Sequence, residues 1–257
     1  YRRDIDIPAD WKERDIYLHL AGAKSGVYVY INGQEVGYSE DSKNPAEFLI
    51  NKYVKPGKNV LTLKIFRWST GSYLECQDFW RISGIERDVY LYSQPKAALK
   101  DFRITSTLDD SHKNGVFALN VDLRNHRPAA TNLTLAYELL DAQGKVVATE
   151  EKTTYVPVNE TRTLSFDKNL TDVHTWTSEH PNLYKLVMTV KEEGKVNEII
   201  PFNVGFRRIE IKPIDQKAAN GKPYVCLFIN GQPLKLKGVN IHEHNPSTGH
   251  YVTEDLM

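Results

Sequence analysis

Two stretches of this sequence carry side chains suited by kind and arrangement to binding or catalysis. The first is Arg67–Leu91 (RWSTGSYLECQDFWRISGIERDVYL). It sets Trp68, Tyr73, Phe79 and Trp80 among Glu75, Asp78, Arg81, Glu86 and Arg87, with glycine turns at Gly71 and Gly84. Aromatic rings stack on the apolar face of a sugar, and carboxylates accept hydrogen bonds from its hydroxyls. The same residues could instead form a strand pair whose charges cap the edge of a sandwich. The second stretch, Asn240-Ile-His-Glu-His-Asn-Pro246, places His242, Glu243 and His244 close to His250. His242 and His244, at i and i+2, share one face of an extended strand and could hold a metal, with Glu243 opposite. The helical HExxH spacing of zinc proteases is missing, which argues against a zinc site standing alone. Histidines hydrogen-bonded at a strand end are the simpler reading. A further reading depends on fold. If Leu234–Val239 is the first strand of a (β/α)8 barrel, Asn240–His244 lies at its C-terminal mouth, where such barrels collect their catalytic and binding groups. Glu254–Leu256 would then begin the first barrel helix.

Composition narrows the classes. The 257 residues suffice for two or three domains with sizeable cores. Lys+Arg and Asp+Glu both number 33, so neither sign dominates, which argues against bulk binding to nucleic acid or an anionic membrane. No apolar run approaches the ~20 residues of a membrane helix. Cys76 and Cys226 are far apart and in no CxxC spacing, poor support for a disulfide or zinc. Sequons at Asn132, Asn159 and Asn169 carry little weight without a secretory signal. The chain opens at Tyr1 without a leader and stops mid-phrase at Met257, and it reads as a piece of something longer.

The elements that must position these residues are strands. Fourteen Tyr, with many Val, Ile and Thr at period two, predict a mainly β chain. After an extended arm at the start come strands at Ile16–Leu20, Ser25–Ile31 and Gln34–Tyr38, the last two joined by the Asn32-Gly33 hairpin. Phe48–Ile50 follows the polar loop Glu40–Glu47. Asn59–Phe66 then delivers the chain into Arg67–Trp80, and Arg87–Tyr92 closes an antiparallel sandwich that begins in its middle. Ser93-Gln-Pro95 marks a boundary. Beyond it, seven strands (Leu99–Leu108, Gly115–Arg124, Thr131–Leu140, Val146–Thr154, Glu160–Phe166, Leu183–Val190 and Asn197–Asn203) have the rhythm of an immunoglobulin-like sandwich. In Trp176–Tyr184, the two aromatics are read as plugs of the sandwich end rather than as a ligand loop. After Val204-Gly205, hairpins at Asn220-Gly221 and Asn230-Gly231 lead to Leu234–Val239. The expected domains are residues 1–94, 95–205 and 206–257.

Three phrases occur in order: Arg67–Leu91, Val204–Ile211 (VGFRRIEI) and Asn230–Gly249 (NGQPLKLKGVNIHEHNPSTG). Together, and with Gly37–Phe48 (GYSEDSKNPAEF), they closely resemble the LacZ-type β-galactosidases of glycoside hydrolase family 2, across essentially the whole chain. The resemblance implies a jelly-roll domain incomplete at its N-terminus, an immunoglobulin-like domain and the truncated start of a TIM barrel. It implies a parent enzyme that hydrolyses terminal β-D-galactosides, such as lactose, with retention, using one glutamate as acid/base and one as nucleophile. Both glutamates, and the Mg2+ ligands beside the acid/base, are expected beyond Met257, so the chain alone is expected to be inactive.

What the resemblance carries onto this chain is small. Asp78, in GSYLExQDxW, matches an aspartate that contacts galactose hydroxyls and a monovalent cation, usually Na+; a carboxylate can share its oxygens between both. His242 matches a histidine that hydrogen-bonds the galactose and favours the transition state, while Glu243 and His244 look like supports. Glu40 and Thr70 stand where the family's best-known member has Gln and Asp near an accessory magnesium site, which puts that site in question here. Cys76 stands where an acid is common. A family asparagine that contacts the sugar would precede Tyr1. The compartment, cytoplasmic or periplasmic, is left open, as is the oligomeric state, a homo-oligomeric parent included. Two rivals share features: a β-glucuronidase or β-mannosidase of the same domain order, and a non-catalytic carbohydrate-binding β-sandwich protein, which has no need of a barrel strand ending in NIHEH.

Overall fold

A computed structural model describes residues 1–75, 80–242 and 244–256. The chain is mainly β and divides into two compact units: residues 1–95 together with 239–257, and residues 96–238.

Among the described residues the first unit is a sandwich of nine strands: β1 (Arg2–Ile7), β2 (Arg14–Leu20), β3 (Ala23–Lys24), β4 (Gly26–Ile31), β5 (Gln34–Ser39), β6 (Ala46–Leu49), β7 (Gly57–Phe66), β8 (Gly84–Ile85) and β9 (Val89–Pro95). One sheet runs β1-β7-β4-β5, the other β6-β2-β9, and β3 pairs with β8 as a short ribbon; every ladder is antiparallel. Period-two alternation selects the inward face. Ile16, Leu18 and Leu20 of β2 meet Val27, Val29 and Ile31 of β4 and Leu61 and Leu63 of β7 in one core, while Tyr28 and Tyr30 point away from it.

The β4–β5 hairpin turns at Asn32 (φ 52°) and Gly33 (φ 81°), two successive left-handed residues that match the twist of the flanking strands. A side chain at position 33 meets open space, so backbone conformation alone sets the cost of substitution. Gly33→Ala is expected to destabilise this unit by about 1 kcal/mol. Equilibrium denaturation checks this, and an unchanged midpoint would contradict the turn assignment.

The second unit contains β10 (Ala97–Leu108), β11 (Gly115–Asn125), β12 (Thr131–Leu140), β13 (Val146–Val156), β14 (Thr161–Leu170), β15 (Tyr184–Glu192) and β16 (Lys195–Val204), in sheets β10-β11-β14 and β13-β12-β15-β16. These are the seven strands expected, with ends shifted by a few residues. Tyr137 meets Phe117 at a tilt and Phe166 edge-on within the core, and Phe206 packs edge-on against Tyr184. A three-stranded sheet of β17 (Ile209–Lys217), β18 (Pro223–Ile229) and β19 (Gln232–Pro233) completes the unit.

One expectation fails. Leu234–Val239 is not a strand; after the Leu234 N–H, which donates to Leu227 O, no strand pairing is formed up to Asn240, and Leu236, Val239 and Ile241 are exposed. A barrel strand gains its hydrogen bonds and apolar cover from parallel neighbours, and among the described residues it has none. No barrel sheet is therefore formed among the described residues, and Glu254–Leu256 is a single 3-10 turn. No helix among the described residues is long and apolar enough to cross a membrane.

Candidate functional site

The loop that follows β7 is pinned at its base by hydroxyls. Ser25 Oγ donates to Ser69 Oγ (2.8 Å), Ser72 Oγ donates to Ser25 Oγ (3.0 Å), and Ser69 N–H donates to Ser72 Oγ (2.9 Å). Ser25 and Ser72 are buried, which favours such mutual satisfaction. A single helical turn, Ser72–Glu75, sits on this base, with the N–H groups of Leu74 and Glu75 donating to Gly71 O.

Carboxylates then fasten this loop to the polar loop after β5 in both directions. Glu40 accepts from Gly71 N–H (2.8 Å) and from Tyr38 Oη (2.5 Å), while Glu75 accepts from both the backbone and the hydroxyl of buried Ser42. The Tyr38 hydrogen bond, followed by that of Gly71, holds the Glu40 carboxyl below its ordinary value; the Tyr38 hydroxyl is pushed up to about 12, chiefly by the same bond. Glu40 therefore serves as a structural acceptor. On the return limb, Arg81 Nη1 donates to Ser72 O (3.1 Å), Arg67 Nε donates to Arg81 O (3.1 Å), and both guanidinium groups lie over Trp68. Arg67, Trp68 and Arg81 are thus scaffold, as a planar donor stacked on indole serves well. Cys76 and Asp78 fall outside the described residues.

The histidine segment lies in the same unit. His242 is exposed. Two residues on, His244 packs against Trp80 with ring centroids 4.2 Å apart, so the residue two after His242 meets the residue two after Asp78. Asn245 then closes a tight turn. Its N–H bonds Gly249 O, the Gly249 N–H bonds Asn245 O, and its side chain accepts from Ser247 and Thr248 N–H. His250, buried, places Nδ1 2.9 Å from Glu86 Oε1. Lys43 Nζ lies 2.5 Å from Glu86 Oε2, and buried Lys24 Nζ lies 4.0 Å from Oε1. Arg87, Asp88 and Glu254 line the cleft of about 470 Å³ beside this cluster.

Sequence reading missed the Glu86–His250 pair. Glu86 stood among many charges in Arg67–Leu91, and His250 looked like a third member of the HEH cluster. Only the fold separates His250, turned inward, from His242, which is exposed.

Burial lowers the His250 value, against the opposing pull of Glu86. Burial alone would raise the Glu86 carboxyl, but hydrogen bonds from Lys43 and His250 and the charges of Lys43 and Lys24 outweigh it and hold it below its ordinary value. For both groups the folded value is depressed. Their contribution is complete above the unfolded values and is lost as pH falls through the folded ones. Docking of residues 239–256 is expected to loosen as pH drops from about 7 to about 4. Faster amide exchange at residues 245–251 would register it, and constant protection over that range would contradict it.

Among the described residues no three His, Cys, Asp or Glu side chains are grouped as a metal site. Each Glu40 oxygen accepts a hydrogen bond from the protein itself, one from Tyr38 and one from Gly71.

Residues 1–95 match the sugar binding domain of glycosyl hydrolases family 2, and residues 97–207 match the domain described as glycosyl hydrolases family 2. The chain belongs to glycoside hydrolase family 2. It is 39% identical over 251 residues to a β-galactosidase of Priestia megaterium (strain DSM 319 / IMG 1521), covering 97% of this chain and 23% of that protein. It is 37% identical over 246 residues to one from Streptococcus thermophilus (96% and 22%). It is 35% identical over 258 residues to the β-galactosidase large subunit of Lactobacillus acidophilus (100% and 38%). This family 2 chain therefore spans less than two fifths of each of these relatives. Among solved structures, it superposes on a β-glucuronidase of Bacteroides uniformis with TM-score 0.87 at 22% identity, covering 99% of this chain and 30% of that one. A β-glycosidase from Bacteroides vulgatus gives TM-score 0.80 at 22% identity (100% and 30%). At that identity the likeness speaks for fold alone.

Proposed function

We propose that this chain is the N-terminal portion of a retaining β-galactosidase that hydrolyses terminal β-D-galactose from galactosides. The observation that carries the reading is the 35–39% identity to β-galactosidases over nearly the entire chain. Two carboxyl groups about 5–5.5 Å apart perform such a reaction: one protonates the leaving oxygen, and the other forms a glycosyl-enzyme that water then opens. In this reading both belong to the longer enzyme, as do its Mg2+ and a monovalent cation with Asp78 among its ligands. The present residues supply recognition. Asp78 accepts from the sugar hydroxyls, and His242 donates a hydrogen bond that strengthens as the ring distorts, which raises turnover rather than ground-state affinity.

A β-glucuronidase is the alternative with an observation behind it, the superposition on the Bacteroides uniformis enzyme. Its substrate carries a carboxylate that calls for a cationic partner. The cations around the loop are committed to the protein itself: Arg81 to Ser72 O and Trp68, Arg87 to Lys43 O, and Lys43 to Glu86. That commitment supports a neutral sugar. Incubated with a nitrophenyl β-galactoside, the 257-residue chain is expected to release no nitrophenol above buffer, while the longer enzyme releases galactose as the β-anomer first. Turnover by the chain alone, or an α-anomer from the longer enzyme, would overturn the proposal.

A further inference from the structure

Two of the contacts by which the segment that carries His242 meets the sandwich differ in their chemistry. His244 on Trp80 is a partly exposed ring contact, worth little in positional precision. His250 on Glu86 is a buried, charge-assisted hydrogen bond with a directional donor. The turn between them is closed by its own pair of backbone hydrogen bonds, with Gly249 at φ 67° and close to the Ile82 side chain. A turn of that kind moves as one piece, so fixing its far end fixes the near end. Glu86 is held in turn from behind. It follows the short β3–β8 ribbon, in which Gly84 pairs with Lys24, and its second oxygen is taken by Lys43, whose carbonyl accepts from Arg87. A buried carboxylate with cations on two sides keeps its charge and its position.

The geometry points to Glu86 as a latch: through His250 it docks residues 239–256 on the sandwich and thereby sets where His242 stands relative to the Arg67–Gly84 loop. Glu86 and His250 are positioning residues, neither touching the sugar. The docking itself needs no assumption about substrate; its consequence for turnover rests on the proposed galactosidase reading.

Amide exchange on the 257-residue chain tests the docking. His250→Ala is expected to speed exchange at Asn245 and Gly249 about tenfold, the loss of one hydrogen bond to a charged group, with Val29 and Leu63 in the core unchanged. His250→Gln keeps an N–H donor for the carboxylate and is expected to restore protection. Glu86→Ala is expected to match His250→Ala, and the double variant to add nothing further, as for two halves of one contact. Unchanged exchange in His250→Ala, or full additivity in the double variant, overturns the latch. Should Glu86→Ala unfold the sandwich by removing a buried carboxylate beside Lys24, the comparison of His250→Ala with His250→Gln decides alone. In the longer enzyme, His250→Ala is expected to lower kcat about tenfold with KM little moved, and His250→Gln to recover it. Loosened docking with unchanged kcat overturns the positioning role while leaving the galactosidase reading intact. Absence of galactosidase activity in the unmodified longer enzyme refutes that reading and leaves the exchange result standing.

Discussion

Replacing Asp78 with Ala in the longer enzyme is expected to lower kcat/KM for a nitrophenyl β-galactoside by roughly two to three orders of magnitude. The reasoning is energetic. A carboxylate accepting from two sugar hydroxyls makes two hydrogen bonds to a charged group, each worth about 1.5–3 kcal/mol. Removing it also leaves the hydroxyls of a buried sugar without partners, the circumstance in which discrimination by a polar site is strongest. The surroundings described here suit such a role. The described flanks of the loop are tied by the Ser25, Ser69 and Ser72 hydroxyls, by Glu40 and Glu75, and by Arg81. His242→Ala is expected to act differently, lowering kcat with a smaller change in KM, because in the proposed reading its bond strengthens only in the transition state. Steady-state kinetics separate the two. An Asp78→Ala enzyme within about twofold of the parent would remove Asp78 from the sugar site.

The largest expected effect on stability lies in the second unit. Tyr137 is fully buried, 5.6 Å from the Phe117 ring and 5.2 Å from that of Phe166. Truncation to Ala removes the centre of this cluster and is expected to cost about 3–5 kcal/mol. Its hydroxyl is another matter. It is buried without a hydrogen-bond partner, and burial raises its pKa, followed by the charges of Glu150 and Asp167. A hydroxyl taken out of water without compensation opposes folding, so Tyr137→Phe is expected to stabilise this unit by about 1 kcal/mol. Chemical denaturation of both variants reads ring and hydroxyl separately. A loss of stability in Tyr137→Phe would mean the hydroxyl has a function in the core.

Most of the strand pattern could be read from residue types. Asn32-Gly33 and Asn230-Gly231 mark turns because left-handed backbone favours both residues, as it does Gly221 after Asn220, and Val27, Val29 and Ile31 alternate because only one face of β4 is covered. Leu234–Val239 misled for the converse reason. Its residues have strand character, but a strand of a parallel sheet exists only through neighbours, and local sequence does not contain them. The joint between Glu86 and His250 was illegible because the two lie 164 positions apart, and nothing local distinguishes a carboxylate facing inward from its exposed neighbours. The carboxylates of Glu40 and Glu75 look equally suited to a sugar or a metal in sequence; the loops they staple together show them used as structural acceptors.

The measurement that bears most directly on the central claim is the specificity of the longer enzyme toward two substrates that differ in the C4 configuration and the C6 oxidation state of the sugar. With nitrophenyl β-galactoside and nitrophenyl β-glucuronide under the same conditions, kcat/KM is expected to favour the galactoside by at least about 100-fold, because in the proposed reading the site offers a glucuronide carboxylate no cationic partner. A preference for the glucuronide would contradict the account and return Asp78 and His242 to the status of structural residues on a shared fold.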